Sequence, residues 1–161
     1  MITGKVFKYE DDVNTDVIFP GKYTYTLSEP DEFAKVAMED LDPDFAGTVK
    51  PGDIIVAGKN FGCGSSREQA AFCLKYAGIA AVVAKSFSRI FYRNAINAGL
   101  PMIVNKTAPD AIEYGDEISV DFQKGILIAE GKKFSFPPLP DEVLGIIEAG
   151  GLVEYVKQEL G

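Results

Sequence analysis

Two serines and an arginine follow a run of glycines in Gly58-Lys59-Asn60-Phe61-Gly62-Cys63-Gly64-Ser65-Ser66-Arg67-Glu68-Gln69-Ala70, placing two hydroxyls and a guanidinium at consecutive positions. Such a set can bind an anion and hold a reactive alcohol against it. The glycines at 58, 62 and 64 allow positive φ and close backbone approach, and the spacing of Ala70, Cys73, Leu74 and Ala77 predicts the buried stripe of a following helix. Ser65 and Ser66 are then expected at or beside its N-cap. Unpaired N–H groups and the positive end of the helix dipole favour a carboxylate there, and would also favour an alkoxide on a serine. A tight strand-to-helix turn with a serine cap would account for Gly-Ser-Ser by itself, so the rest of the chain must decide.

The familiar glycine-rich motifs do not fit. A dinucleotide fingerprint would need glycine where Arg67 stands, and a Walker loop would need Gly-Lys-Ser/Thr in place of Gly64-Ser65-Ser66. A nucleophile elbow requires glycine on both sides of its serine, and the chain has no histidine to act as the usual base. Any serine chemistry here needs another form of activation. The chain has only three arginines, Arg67, Arg89 and Arg93, all in one short stretch, whereas thirteen lysines run from end to end. A planar guanidinium grips a carboxylate through a two-point fork that lysine cannot reproduce, so this segregation fits recognition of a small carboxylic acid. Arg89 and Arg93, four apart on a predicted helix, could instead pair with acidic neighbours.

A length of 161 residues with 47% hydrophobic content predicts one globular domain, 1–161, and no apolar run is long enough to span a bilayer. The net charge of −8 and pI near 4.6 argue against a nucleic-acid surface, which would need a basic stripe. Cys63 and Cys73, with no signal-like N-terminus, fit a reducing cytoplasm. Two thiolates are too few for a four-cysteine zinc site or an iron–sulfur cluster, so no metal site is expected in this chain, and another chain would have to supply the ligands.

The elements that must position the loop alternate. Lys5–Tyr9 reads as a strand, Pro30–Leu41 as a helix and Asp53–Ala57 as a buried strand feeding the glycines. The helix after Arg67 ends near Gly78, Ile79–Ala84 is a fully apolar strand, Ser86 caps a helix through Asn97, and Met102–Val104 is another strand. This predicts an α/β fold with a βαβαβ core. Glu117–Asp121, Gly125–Ala129 and Lys132–Phe136 read as short hairpin strands before a helical region from about Asp141.

Three separated segments carry a family resemblance: Asn14-Thr15-Asp16-Val17-Ile18-Phe19-Pro20-Gly21-Lys22-Tyr23, the Asn60–Ala70 loop, and Ser86-Phe87-Ser88-Arg89-Ile90-Phe91-Tyr92-Arg93-Asn94-Ala95-Ile96-Asn97. In this order, over nearly the whole chain, they resemble the small subunits of 3-isopropylmalate dehydratases, the swivelling domain of the aconitase superfamily made as a separate polypeptide. The resemblance implies a single swivelling β/β/α domain of the aconitase C-terminal-domain type. It further implies a hydro-lyase of leucine biosynthesis, active only with a large subunit that carries a [4Fe–4S] cluster and acting on a small dicarboxylic hydroxy acid. Ser65 matches the serine that takes a proton from carbon, and Arg67 matches an arginine that holds a substrate carboxylate, with Gly64 and Ser66 beside them. Tyr23, Thr24, Tyr25 and Thr26 match the segment that reads the rest of the substrate. Relatives that take a third carboxylate place an arginine just after the tyrosine matching Tyr23, and this chain has Thr24 there. A buried carboxylate without a partner would cost several kcal/mol or so, whereas an alkyl group gains about 0.8 kcal/mol per buried methylene. 2-Isopropylmalate is therefore expected rather than homocitrate. The Tyr-Thr-Tyr-Thr run departs from the more familiar Tyr-Leu pattern, which keeps a methyl- or dimethylmalate open. Cys63 reads as packing, and Asp16 either orients the substrate loop or is ordinary turn chemistry. A reading of another class, a non-catalytic module in which Arg67 and the helix start hold an anionic effector, needs only the same loop.

Overall fold

In a computed structural model, which describes residues 1–65 and 67–160, the chain alternates as its apolar runs require. The order is β1 (Ile2–Lys8), α1 (Thr15–Ile18), α2 (Pro30–Val36), α3 (Phe45–Thr48), β2 (Ile54–Ala57), α4 (Glu68–Tyr76), β3 (Ala81–Ala84), α5 (Arg89–Asn97), β4 (Met102–Val104), α6 (Ala108–Ala111), β5 (Glu117–Asp121), β6 (Ile126–Ala129), β7 (Lys132–Ser135), α7 (Asp141–Ala149) and α8 (Leu152–Leu160). The strands form one seven-stranded sheet in the order β4-β3-β2-β1-β5-β6-β7.

Strands β1 to β4 are parallel, which gives the expected βαβαβ core, and β5 to β7 are antiparallel. The two halves meet on β1. Its end pairs parallel with β2 through Val6↔Ile54, and its start pairs antiparallel with β5 through Ile2↔Val120. Every residue of β2 and β3 is buried, so both faces of the parallel half are covered, and this is why these strands read as unbroken apolar runs. Ile55, Ala57, Val82 and Ala84 pack on one face with Ala70, Ala71, Cys73 and Leu74 of α4 and Phe91 and Ala95 of α5. Ile54, Val56, Ala81 and Val83 pack on the other face with Ile118 and Val120 of β5 and Leu127 and Ala129 of β6. That is the expected β/β/α layering. In β5, buried Ile118 and Val120 alternate with residues that are not, as a sheet with one wetted face demands.

Three helix ends differ from expectation, two of them for a tertiary reason. Helix α2 starts with Pro30 at its first turn and a Glu29/Glu32 capping box, but it stops at Val36 rather than Leu41. There Met38 takes a positive φ of 61° and donates its N–H to the Ile18 carbonyl at 2.8 Å, tying the end of α2 to the end of α1. The N-cap of α5 is Ser88, not Ser86, whose hydroxyl instead accepts the Asn60 N–H at 2.7 Å. The helix after the glycine loop begins at Glu68 with Arg67 as its N-cap, so Ser65 stands just outside its first turn.

Candidate active site

The loop 60–67 leaves the carboxyl end of β2 and is held on two sides. Phe61 donates to Ser86 O at 3.1 Å and Ser88 donates to Phe61 O at 3.0 Å, which fastens the loop to the segment that enters α5. On the other side, Gly62 donates to Val13 O and Thr15 donates to Cys63 O, each at 2.8 Å. Thr15, a polar residue only 2% exposed, also donates its hydroxyl to the Ser65 carbonyl at 2.9 Å. The backbone of Ser65 is thereby pinned while its residue stays exposed.

Glycine is required within this clamp. Gly62 and Gly64 have φ of 83° and 96°, and a Cβ on Gly62 would overlap the Phe91 ring, while one on Gly64 would lie 2.6 Å from Asn14 Oδ1. Gly58 has no positive φ; a Cβ there would strike Asp11.

Arg67 is 15% exposed at its side chain and turns back over the segment that follows α1. Nη1 donates to the Thr24 hydroxyl at 3.0 Å, and Nη2 donates to the Phe19 carbonyl at 3.1 Å and to the Asp16 carboxylate. Gly21 leaves room for the guanidinium, since a Cβ there would stand 3.3 Å from Nη1. Among the described residues Nε is buried without a partner. The sequence singled out Asp16 and Arg67 separately; the structure joins them.

Ser65 and Arg67 line one narrow recess, closed to a water molecule in the free chain, together with Thr15 and, from α5 and its cap, Ser88, Ile90 and Asn94. Gly64 lines it too. Ser66 lies outside the described residues. The helix end that opens on the recess with no acidic residue in its first turn is that of α5, whereas α4 begins with Glu68. The positive end expected at the start of α4 is thus supplied more fully by α5. Sequence reasoning missed Thr15, Ser88 and Asn94 as site residues. The signal for Thr15 was a hydroxyl between Val13 and Val17 in a segment already quoted, and its partner lies 50 residues away.

The segment Tyr23, Thr24, Tyr25, Thr26 leaves a 3₁₀ helix, Gly21–Tyr23, and continues as a turn. Thr24 is the member brought to Arg67. The Tyr23 hydroxyl donates to the Glu39 carboxylate at 3.0 Å, and Lys22 lies 5.2 Å from the Tyr23 ring centroid. Tyr23 first, then Glu39, holds the Lys22 ammonium above its ordinary pKa range. Tyr25 is 98% exposed and Thr26 is exposed. Arg89 and Arg93 do not line the recess, and among the described residues neither makes an ion pair. Cys63 and Cys73 are free, and burial pushes the Cys73 thiol up, out of reactive range. Among the described residues no three His, Cys, Asp or Glu side chains stand together as a metal site. No helix among them is long and apolar enough to cross a membrane.

Comparison with known proteins bears on the whole of this arrangement. Residues 12–107, from the clamp through α5 and β4, match the family model of the aconitase C-terminal domain. The small subunit of 3-isopropylmalate dehydratase from Caldicellulosiruptor bescii is 54% identical over 159 residues, covering 98% of this chain and 95% of that one. Small subunit 2 of the same enzyme from Archaeoglobus fulgidus is 52% identical over 98% of this chain and 95% of its own length. A crystal structure of 3-isopropylmalate dehydratase from Methanocaldococcus jannaschii superposes with a TM-score of 0.91 at 47% identity, covering 99% of this chain and 95% of that one. Likeness of that extent, running through the clamp, the serine loop and both halves of the sheet, places the chain in the aconitase C-terminal domain family, among the small subunits of 3-isopropylmalate dehydratases.

Proposed function

We propose that this chain is one swivelling unit of a two-chain hydro-lyase that interconverts 2-isopropylmalate and 3-isopropylmalate by removing and re-adding water, and that Ser65 is its base. The observation that carries the assignment of residues is the shared recess: Ser65 and Arg67 line it together, Thr15 fixes the first, and the second keeps a buried Nε without an acceptor among the described residues. A substrate carboxylate that opened the recess and took the guanidinium from Asp16 would bring the neighbouring carbon to the serine oxygen. An unperturbed serine hydroxyl is too weak an acid to serve as a base near neutral pH, so the alkoxide needs positive ends and donors around it. The first turn of α5 and the Arg67 guanidinium are suited to that task. Ser65 would take the proton from carbon and return it when water adds at the adjacent carbon. Tyr23, Thr24, Tyr25 and Thr26 are assigned to reading the alkyl substituent once the large subunit closes the site.

The [4Fe–4S] cluster is assigned to the large subunit, where it supplies Lewis acidity to the leaving hydroxyl. Two free thiols favour a reducing compartment, the cytoplasm. The test combines the pure chain with purified large subunit under anaerobic conditions and follows the absorbance of the unsaturated intermediate from 2-isopropylmalate. Turnover is expected from the mixture and from neither chain alone. Ser65→Ala should abolish it while the subunits still associate; near-normal kcat in that variant would move the base elsewhere.

A further inference from the structure

Arg89 and Arg93 are the two arginines that the recess does not use, and they sit where a free-standing protein gains nothing from them. Arg89 is the first residue of α5, at the positive end of the helix dipole, with no acidic residue in that turn to offset it. Arg93 follows four residues later on the same face, so the two guanidinium groups repel across one helical turn. Both are exposed, and among the described residues neither has an ion-pair partner in a chain of net charge −8. Ile90 between them is 52% exposed although it also lines the recess beside Ser65. Local rules broken without compensation in the free chain mark a surface made for something else.

We infer that the exposed strip Arg89–Ile90–Arg93 of α5 is the face on which the large subunit seats, with carboxylates of that subunit pairing the two arginines and an apolar contact covering Ile90. The inference rests on the dehydratase reading above for the identity of the partner. Three features single out this occupant. The strip is continuous with the recess that a second chain would close, its charge opposes the net charge of the chain, and arginine is the cation that interfaces favour over lysine. Carboxylates from the partner would also complement the α5 dipole, turning an unfavourable first turn into a favourable one.

The test measures association of the full chain with purified large subunit, without substrate, by surface plasmon resonance at several salt concentrations. Arg89→Glu and Arg93→Glu are each expected to weaken association at least tenfold and to flatten its salt dependence, with unchanged melting curves. At concentrations that saturate the large subunit, kcat for Arg93→Glu should stay within twofold of the parent. Lys133→Glu, on β7, should associate as the parent does. The inference is overturned if both arginine variants associate normally, or if they lose kcat at saturation with association intact, since the arginines would then serve the chemistry. Failure of the parent chain itself to bind the large subunit would overturn the dehydratase reading and this inference with it.

Discussion

Arg67 donates from Nη1 to the Thr24 hydroxyl at 3.0 Å, joining the residue that follows the two serines to the segment that carries Tyr23 and Tyr25. The same guanidinium holds Asp16 and the Phe19 carbonyl, so the reactive loop and the 16–24 segment form one unit hinged on a single side chain. A shift of either part is felt by the other. If Ser65 removes the proton and the 23–26 segment reads the substituent, as proposed, this one side chain holds the two tasks at fixed geometry.

Arg67→Lys keeps the charge and loses the fork. It should lower kcat/KM by about 1.5–3 kcal/mol, with KM rising and kcat falling together. Because Asp16 is 61% exposed, the lost ion pair should lower the melting temperature only modestly. Steady-state kinetics and a melting curve on the same preparation separate the two effects, and unchanged kinetics would remove Arg67 from carboxylate binding.

Two glycines with positive φ should respond very differently to alanine. Gly131 has φ of 75°, and a Cβ added there would meet nothing within 4 Å, so Gly131→Ala should cost only the backbone contribution, about 1–2 kcal/mol. Gly62→Ala adds overlap with the Phe91 ring at the floor of the recess, roughly 1–3 kcal/mol more, and should abolish activity as well. Urea unfolding of both variants gives the comparison; equal losses would mean that the loop relaxes away from Phe91 at no cost.

In the β5–β6 turn, the Lys124 N–H first and then the Gln123 N–H hold the Asp121 carboxyl below the usual carboxylate range. A lowered folded pKa means that the stability it contributes is fully present above the unfolded value of about 3.9 and is lost as pH falls through the folded value. The stability gap between the parent and Asp121→Asn should therefore be constant above about pH 5 and shrink on acidification. Urea midpoints between pH 3 and 6 report it, and a gap that widens toward acid would reverse the sign.

The parts of the molecule legible in the sequence are those governed by local pattern. The runs Asp53–Ala57 and Ile79–Ala84 announced buried strands, observed at Ile54–Ala57 and Ala81–Ala84, and the glycines before Ser65 announced a close approach, which side chains of Phe91 and Asn14 make rather than backbone. Features governed by distant partners were not legible. The Ser86 hydroxyl satisfies every rule for a helix cap but is taken by the Asn60 N–H, and α2 ends where Met38 finds Ile18 O. The clamp of Thr15 on Ser65 and the turn of Arg67 toward Thr24 rest on side chains separated by 50 and 43 residues, which no window on the sequence spans.

Specificity gives the last prediction, and the geometry chooses the position at which to test it. Thr24→Arg would break the bond that Arg67 makes to the Thr24 hydroxyl and so confound recognition with anchoring. Tyr25 is 98% exposed and makes no such bond among the described residues, so Tyr25→Arg changes what the segment offers a substrate and leaves the hinge intact. If the segment lines the closed site, the new guanidinium pairs the third carboxylate of homocitrate and leaves an isopropyl group against an unpaired charge. Both effects act in one direction, attraction to the one acid and rejection of the other. The ratio of kcat/KM for homocitrate to that for 2-isopropylmalate should rise at least tenfold, about 1.4 kcal/mol, with a methylmalate between them. Measurement of all three acids with the variant in complex with the large subunit decides the matter. Ratios held at parent values, in a variant that remains folded and bound, would take substrate reading away from this segment and leave the preference for 2-isopropylmalate to the other subunit.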